Sequence, residues 1–408
     1  MHAAERGDHA ALHEAVAARE SAGTLSNGEA ASIAKEVARR ELRTAASGDA
    51  SDRVRDVFPC AHELDDALAD RMRVHDAAGA DAALARIAGR GLTLEDARAF
   101  STDADSGWRA VGARALVRRE DRKARLRALV DDAPRVRRQA ARAARDAADP
   151  ADLTALAEAA RLDPEPIVRT EAVRAIAVLA PGSEAVNVLR YVWTVGDVGL
   201  REDIALAWVS PSLWEAGGRE ALRVLVASGH GPGAIEAAAA VLRRGDARGD
   251  VAGAATGQLG RSIASGSRAT RLQALAQAPL DRPDLLGATR IAATDEDLEV
   301  RVGALSRLAV SNGAHEASAI AALESLAQPG SPVAQRARFA LAVAGDRRVQ
   351  SWIEADLSAL APEDRLGAAT ALATLGVSAR AAPLLADADA AVRLRTACTI
   401  IMAARVVR

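Results

Sequence analysis

The chain has 408 residues, half of them apolar but only 2% aromatic, with 53 basic and 55 acidic side chains and a formal net charge of −2. So much apolar surface with so little net charge excludes a disordered chain, and the balance of charge excludes a strongly basic nucleic-acid binder as the reading of the whole. Two cysteines, Cys60 and Cys398, are too few for a disulfide scaffold or a four-cysteine zinc site, and no apolar run reaches the ~18 residues a membrane span needs.

The opening, from Met1 to Asp8, lacks the apolar core and small-residue cleavage site of a secretory leader, so cytoplasmic residence is expected. Helices are predicted over 8–21, 27–46, 61–77, 80–90 and 94–100, with Ser26 and Glu29 at capping-box spacing. These segments share no common motif, and residues 1–105 are read as an irregular helical cap. His9 and His13 are four apart, and His13-Glu14, His62-Glu63 and His315-Glu316 form three His-Glu pairs. No third ligand is fixed by spacing, so no metal is assigned. Cys60 with His62 makes a poor nucleophile candidate, because adjacency in sequence does not build a catalytic pair.

From Trp108 onward one pattern recurs. A residue, usually apolar, is followed by Arg, and small or apolar residues follow at four, five and eight positions. In chain order the copies start at Trp108, Val136, Val168, Leu200, Ile235, Thr270, Val300, Gln335, Asp364 and Val392, about ten at intervals of about 28 to 35 residues, the Ile235 copy keeping Ala239 and Ala240 but breaking at the Arg and at the last position. Offsets of four and eight share one face of an α-helix and five widens it, so each copy predicts a helix with one buried stripe. A second helical stretch lies between most copies, with prolines such as Pro150, Pro164, Pro211, Pro279, Pro329 and Pro362 in the turns. Asp132, Asp163, Asp197, Asp297, Ser331 and Asp389 stand just before the ladder helices as N-cap candidates. No strand pattern competes. One helix pair cannot bury its own stripe, so the pairs must stack. The expected fold is all-α, an α-solenoid wound as a right-handed superhelix, with the cap at 1–105 and the repeats at 106–408.

The Asp-turn followed by V-R-x-x-A at about 30-residue spacing resembles the HEAT-like repeats of the phycobilisome-lyase type, over roughly 106–408. The resemblance implies architecture, and it implies that the ladder arginines Arg137, Arg169, Arg201, Arg301 and Arg393 are structural, paired with turn carboxylates such as Asp132, Asp163, Asp197, Asp297 and Asp389. Such repeats serve adaptors, scaffolds, lyase subunits and DNA-repair enzymes, so the resemblance selects no activity.

Residues 109–145 carry 13 basic and 4 acidic side chains, and 49–105 carry 7 basic and 13 acidic, a contrast that suggests mutual neutralisation. Arg135, Arg138 and Arg142 are the candidates in the basic stretch for an anionic partner. Tyr191, Trp193 and Trp214 cluster in sequence and can either fill the core or line a groove. Gly229-His230-Gly231-Pro232-Gly233 lacks the Lys-Ser or Lys-Thr of a phosphate loop and is read as a turn. The stretch 396–407 is apolar nearly all round, so this helix either tucks into the preceding repeat or docks onto another chain, which makes Ile401 and Val406 candidates for a homotypic or partner contact. These observations favour a non-catalytic protein-interaction scaffold with an unidentified protein partner, and assign no catalytic residue, cofactor or metal. The alternatives are a nucleic-acid-binding protein, of the HEAT-like DNA-glycosylase kind, that uses the 109–145 face, and an accessory subunit for cofactor attachment.

Overall fold

The computed structural model describes all residues except 1, 46–48, 180–182, 197, 229–231, 245–248, 312–315 and 407–408. The described residues form α-helices with some short 3-10 segments, one π-helical turn at Trp214–Gly218 and connecting turns, with no strand among them. The N-terminal region contributes α1 (Asn27–Thr44) and α2 (Ala50–Asp56). All ten ladder copies lie in or start α-helices. In chain order, with two intervening helices, they are α3 (Ser106–Arg114), α4 (Pro134–Ala147), α5 (Leu153–Leu162), α6 (Pro166–Leu179), α7 (Ser183–Val195), α8 (Val198–Trp208), α9 (Pro232–Arg243), α10 (Arg268–Gln277), α11 (Leu298–Ala309), α12 (Ala334–Val343), α13 (Pro362–Thr374) and α14 (Ala390–Val406). The architecture is an all-α solenoid of stacked, HEAT-like helical hairpins.

The stripe is buried as its periodicity requires. Val168, Ala172, Val173 and Ile176 are fully buried on α6, and Leu200, Ile204, Ala205 and Trp208 are buried on α8. Gly112 takes the fourth-offset position on α3 because a methyl there would run into the backbone of Ser101. One copy is out of register. On α12 the fourth- and eighth-offset residues counted from Gln335, Phe339 and Val343, are exposed, whereas Val333, Ala337 and Leu341 are buried. The true repeat starts two residues earlier, which brings Arg338 to the core face. There it donates to Ala327 O at 2.9 Å and to Asp356.

The turn residues act as local caps. The Asp163, Asp297 and Asp389 carboxylates accept the N–H two residues on, at 2.9, 3.0 and 2.8 Å. Before α4 it is Asp131, not the exposed Asp132, that does so, accepting from Ala133 N at 2.9 Å. Asp197 lies outside the described residues, as do His315 and Gly229 to Gly231. Ser26 and Glu29 form the expected capping box.

The chain divides into two compact units, one made of Met1–Thr93 with Leu308–Arg408, the other of Leu94–Arg307. These units cut across the expected division into 1–105 and 106–408. In the second unit the ladder helices α3, α4, α6, α8, α9 and α10 pack each on the next, with α5 and α7 behind them, over one continuous apolar core. In the first unit α12, α13 and α14 stack in the same way, and the stack continues onto α1 from the other end of the sequence. The N-terminal helices therefore cover the last repeat. Of the two outcomes open to this apolar helix, packing within its own chain is the one seen, and a homotypic or partner contact is not shown. Ile400 and Ile401 are buried, because α14 lies against α1, α2 and the turn at Phe58–Leu64. The side chain of Val406 lies outside the described residues.

Cys60 and Cys398 form a disulfide, Cα to Cα 5.4 Å, across that junction. Two cysteines do not make a scaffold, yet a fold that brings residues 338 positions apart together can still link them. Spacing carried no trace of it. No described helix is long and apolar enough to cross a membrane.

Candidate functional site

The ladder arginines come first, because their chemistry fixes which charges remain for a partner. Most reach the carbonyls of their own preceding turn. Arg137 donates to Asp131 O and Asp132 O at 2.8 and 3.0 Å, Arg169 to Asp163 O at 2.9 Å, and Arg301 to Asp295 O at 2.7 Å. Several also reach forward to a carboxylate in the next turn. Arg109 chelates Asp131 at 3.0 Å through both nitrogens, Arg137 chelates Asp163 at 2.7 and 2.9 Å, and Arg365 bonds Asp387 at 2.8 and 3.1 Å. Arg271 engages Asp295 likewise. The bond from Asp163 and its charge raise the Arg137 pKa above its ordinary value, against burial. Arg201 differs, donating to Trp193 O at 3.2 Å. In Arg109, Arg137 and Arg365 one guanidinium ties its own turn to the next repeat's turn.

This relay, with local pairs, absorbs much of the basic stretch. Besides Arg109 and Arg137, Arg114 pairs with Asp146 at 2.7 Å, and Arg118 pairs with Glu95. Arg125 is fully buried, bound to Asp152 at 2.6 Å and to the carbonyls of Leu116 and Arg118 at 3.0 and 2.9 Å. Neutralisation comes chiefly from turn carboxylates of the repeats themselves rather than from the acidic stretch at 49–105.

A second polar row lies on the ladder helices, built from residues three and six places after each copy's first residue. Glu171 on α6 is 1% exposed and sits among four guanidiniums. Arg142 bonds it at 2.8 and 2.6 Å, Arg138 stands at 3.6 Å, Arg145 at 3.8 Å and Arg174 at 3.9 Å. Arg138, Arg142 and Arg145 share one face of α4, at the spacing of one and two helical turns. Arg174 repeats the position of Arg142 one helix further on and chelates Asp203 of α8 at 3.0 and 2.8 Å. Burial alone would raise the Glu171 pKa, but the Arg142 bond and the charges of Arg142, Arg138 and Arg174 hold it below the usual range. Arg138 is shifted down, first by burial and then by the charge of Arg142. With Arg114 and Asp146 included, five guanidiniums face three carboxylates, and Arg138, Arg142, Arg145 and Arg174 keep about a third to a half of their side-chain surface open. The cluster is thus an exposed cationic patch anchored on one buried anion. Arg135 is half-buried in the first turn of α4.

Further along the same helices the row turns apolar. Leu206 on α8 is exposed and borders a cavity of about 370 Å³ with Val209, Ala240, Arg243 and Arg244.

The aromatic candidates do not join this patch. Trp214 is buried beneath the Arg244 guanidinium at 4.6 Å, and Trp193 is half-buried, stacked on the core residue Trp208 at 5.4 Å. Tyr191 is exposed on α7, in the layer behind the ladder helices, with Arg161 over its ring at 5.6 Å. Among the described residues no group of three or more His, Cys, Asp or Glu is placed to hold a metal. Sequence reasoning missed Arg145, Glu171, Arg174 and Asp203. The 138, 142, 145 spacing and the equivalent places of Arg142 and Arg174 were the signals present. Glu171 and Asp203 become legible only once adjacent copies are aligned.

No protein-family model matches the sequence, and no curated protein is similar to it. Among solved structures it is similar to the complex of CpcE and CpcF of phycocyanin lyase from Nostoc sp., with 18% identity over 58% of this chain and 95% of that one, TM-score 0.33. It is similar to Kap121p at 13% identity over 92% of this chain and 48% of that one, TM-score 0.30. It is similar to UNC-45 from Drosophila melanogaster at 12% identity over 94% and 72%, TM-score 0.26. Likenesses of this size concern architecture alone and transfer no activity.

Proposed function

We propose that the chain is a protein-interaction scaffold whose ladder-helix face, at Arg138, Arg142, Arg145 and Arg174, receives an acidic segment of a partner protein. The observation that supports this is the surplus of guanidiniums around buried Glu171. Arginine forks suit carboxylates, and holding them on rigid adjacent helices lowers the entropy lost on binding. The apolar surface at Leu206 suits a segment that mixes acidic and aliphatic residues. The nucleic-acid alternative is less favoured. Arg109, Arg125 and Arg137 are committed to internal carboxylates, and among the described residues no aromatic ring is seen over a patch arginine for a base to join.

The test is fluorescence anisotropy with two probes, a labelled peptide rich in Glu and Leu and a labelled DNA duplex, each titrated at low and at physiological salt. Peptide binding that is weakened at least tenfold by Arg142→Glu with Arg174→Glu supports the reading. Tighter binding of the duplex, abolished by the same pair, replaces it with the nucleic-acid reading. Binding of neither probe refutes the patch as a docking face.

A further inference from the structure

The junction between the N-terminal helices and α14 is fastened in a manner found at no other described junction. Its apolar part is the paired stripes of the two helices. Ala30, Ile33, Ala34, Val37, Ala38 and Leu42 are buried on α1, as are Leu394, Ala397, Ile400 and Ile401 on α14. Its polar part is a set of bonds between residues some 340 to 350 positions apart. Arg393 chelates Glu41 at 2.8 and 2.7 Å, and Arg405 bonds Glu63 at 2.7 Å while Lys35 holds the other oxygen of Glu63. Asn27 donates to Gly376 O and accepts from Ala379 N, both at 2.9 Å. The covalent part is the Cys60–Cys398 disulfide, which joins the Phe58–Leu64 turn to α14 between the Arg393 and Arg405 contacts. These are the chain's only two cysteines, and both are buried, Cys60 completely.

We infer that the Cys60–Cys398 bond is a redox-dependent lock on this junction. Formed, it ties the N-terminal helices to the last repeat. Reduced, it leaves them held by the apolar stripes and ion pairs alone, so that the junction opens at lower cost than the ladder of the second unit. The physical ground is the length of chain between the two sulfurs. Cross-linking such distant residues removes an unusually large share of the open ensemble's freedom. The step balances as thiol–disulfide exchange. One thiolate of a dithiol reductant attacks a sulfur of the pair and displaces the other as thiolate. The reductant's second thiol then resolves the mixed disulfide, which leaves an oxidised reductant and two protein thiols. Because both sulfurs are buried, the exchange follows opening of the junction and is slow while it is closed. The lock also links the protein to its surroundings: the bond persists in an oxidising compartment and opens in a reducing one. This inference is independent of the arginine patch.

The experiment uses the full chain prepared without reductant. Alkylation under denaturing conditions followed by intact mass measurement finds no free thiol if the bond is present, and two free thiols would overturn the lock. Hydrogen exchange is then followed with and without dithiothreitol. Exchange in α1 and α14 is expected to rise about tenfold or more on reduction while α4 and α6 stay unchanged. The C60S/C398S variant should match the reduced chain in both conditions; if it does not fold, wild-type chain with and without reductant still gives the reading. Equal exchange in α1 and α14 in both states, or an equal rise in α4 and α6, overturns it.

Discussion

The two units use the same arginine relay, but they complete it over very different lengths of chain. In the second unit Arg137 finds its forward carboxylate, Asp163, 26 residues on. In the first unit Arg393 has no following repeat among the described residues, and its carboxylate is Glu41, 352 positions earlier. Glu41 also accepts from Arg53 at 2.6 Å, so one buried anion serves two arginines. The contrast teaches that the module is a guanidinium held by its own turn and matched to whatever carboxylate the next layer offers. The second unit draws that layer from adjacent sequence. The first draws it from the other end of the chain, at a higher cost in loop closure and with slower expected assembly.

The largest effect that separates the units is expected from Ile401→Glu. A charge forced into the buried contact of α14 with α1 has no partner there, and the loss should reach about 4 kcal/mol or more. Limited proteolysis analysed under reducing conditions, which breaks the Cys60–Cys398 bond, should release the first 93 residues while the second unit resists. Equal protection of both units would show that the junction does not depend on burial at this position.

Next comes the relay itself. Arg137→Met strands the buried Asp163 carboxylate and should cost about 3 kcal/mol, within the range for breaking a buried pair. Arg393→Met should cost less, about 2 kcal/mol, because Arg53 still neutralises Glu41. Thermal or denaturant melting of the two variants checks the order, and a larger loss for Arg393→Met would break the equivalence drawn between them.

Acid should sharpen the same contrast. The bond from Lys35, opposed by burial and aided by Arg405, lowers the Glu63 pKa from 4.5 to about 2. A depressed carboxylate stabilises the fold fully above its unfolded pKa, and the contribution is lost as pH falls through the folded value. The junction should therefore loosen between about pH 4.5 and 2, by hydrogen exchange in α1 and α14. Lys35→Met should raise the lower end of that window toward pH 4.5 and so shrink the acid-dependent loss.

How much of this was legible in the sequence follows from the range of each interaction. The stripe offsets depend on a helix repeat of a few residues, so most copies could be read in register. Gln335 misled because an Arg sits next to it by coincidence, whereas burial follows Val333, Ala337 and Leu341. Asp132 misled for a similar reason, since Asp131 beside it has the same chemistry and the better geometry. The apolar C-terminal helix was a correct signal whose cover the sequence left open between its own chain and another. It does need a cover, and the cover is α1 of the same chain. Nothing local in Glu41 or Cys60 shows that its partner is 340 to 350 residues away, so the junction was closed to pattern reading. In the arginine patch the cations were visible, but the anion they surround was not.

The smallest effect, on stability though not on binding, is expected from Arg142→Ala. Glu171 would keep Arg138, Arg145 and Arg174 within 4 Å, so the fold should lose under about 1 kcal/mol, as for partly exposed pairs. The pH profile should respond more clearly. Glu171 is held below 4.5 despite burial, so its stabilisation is complete above that value and is lost as pH falls through the folded pKa. Without the Arg142 bond, burial is less opposed and the pKa must rise, which moves the acid loss to higher pH. Binding of the acidic peptide should weaken several-fold in the same variant. A variant that loses acid stability but binds as before would assign the patch to the relay alone. One that loses binding with an unmoved acid profile would show that Arg142 faces the partner more than it faces Glu171.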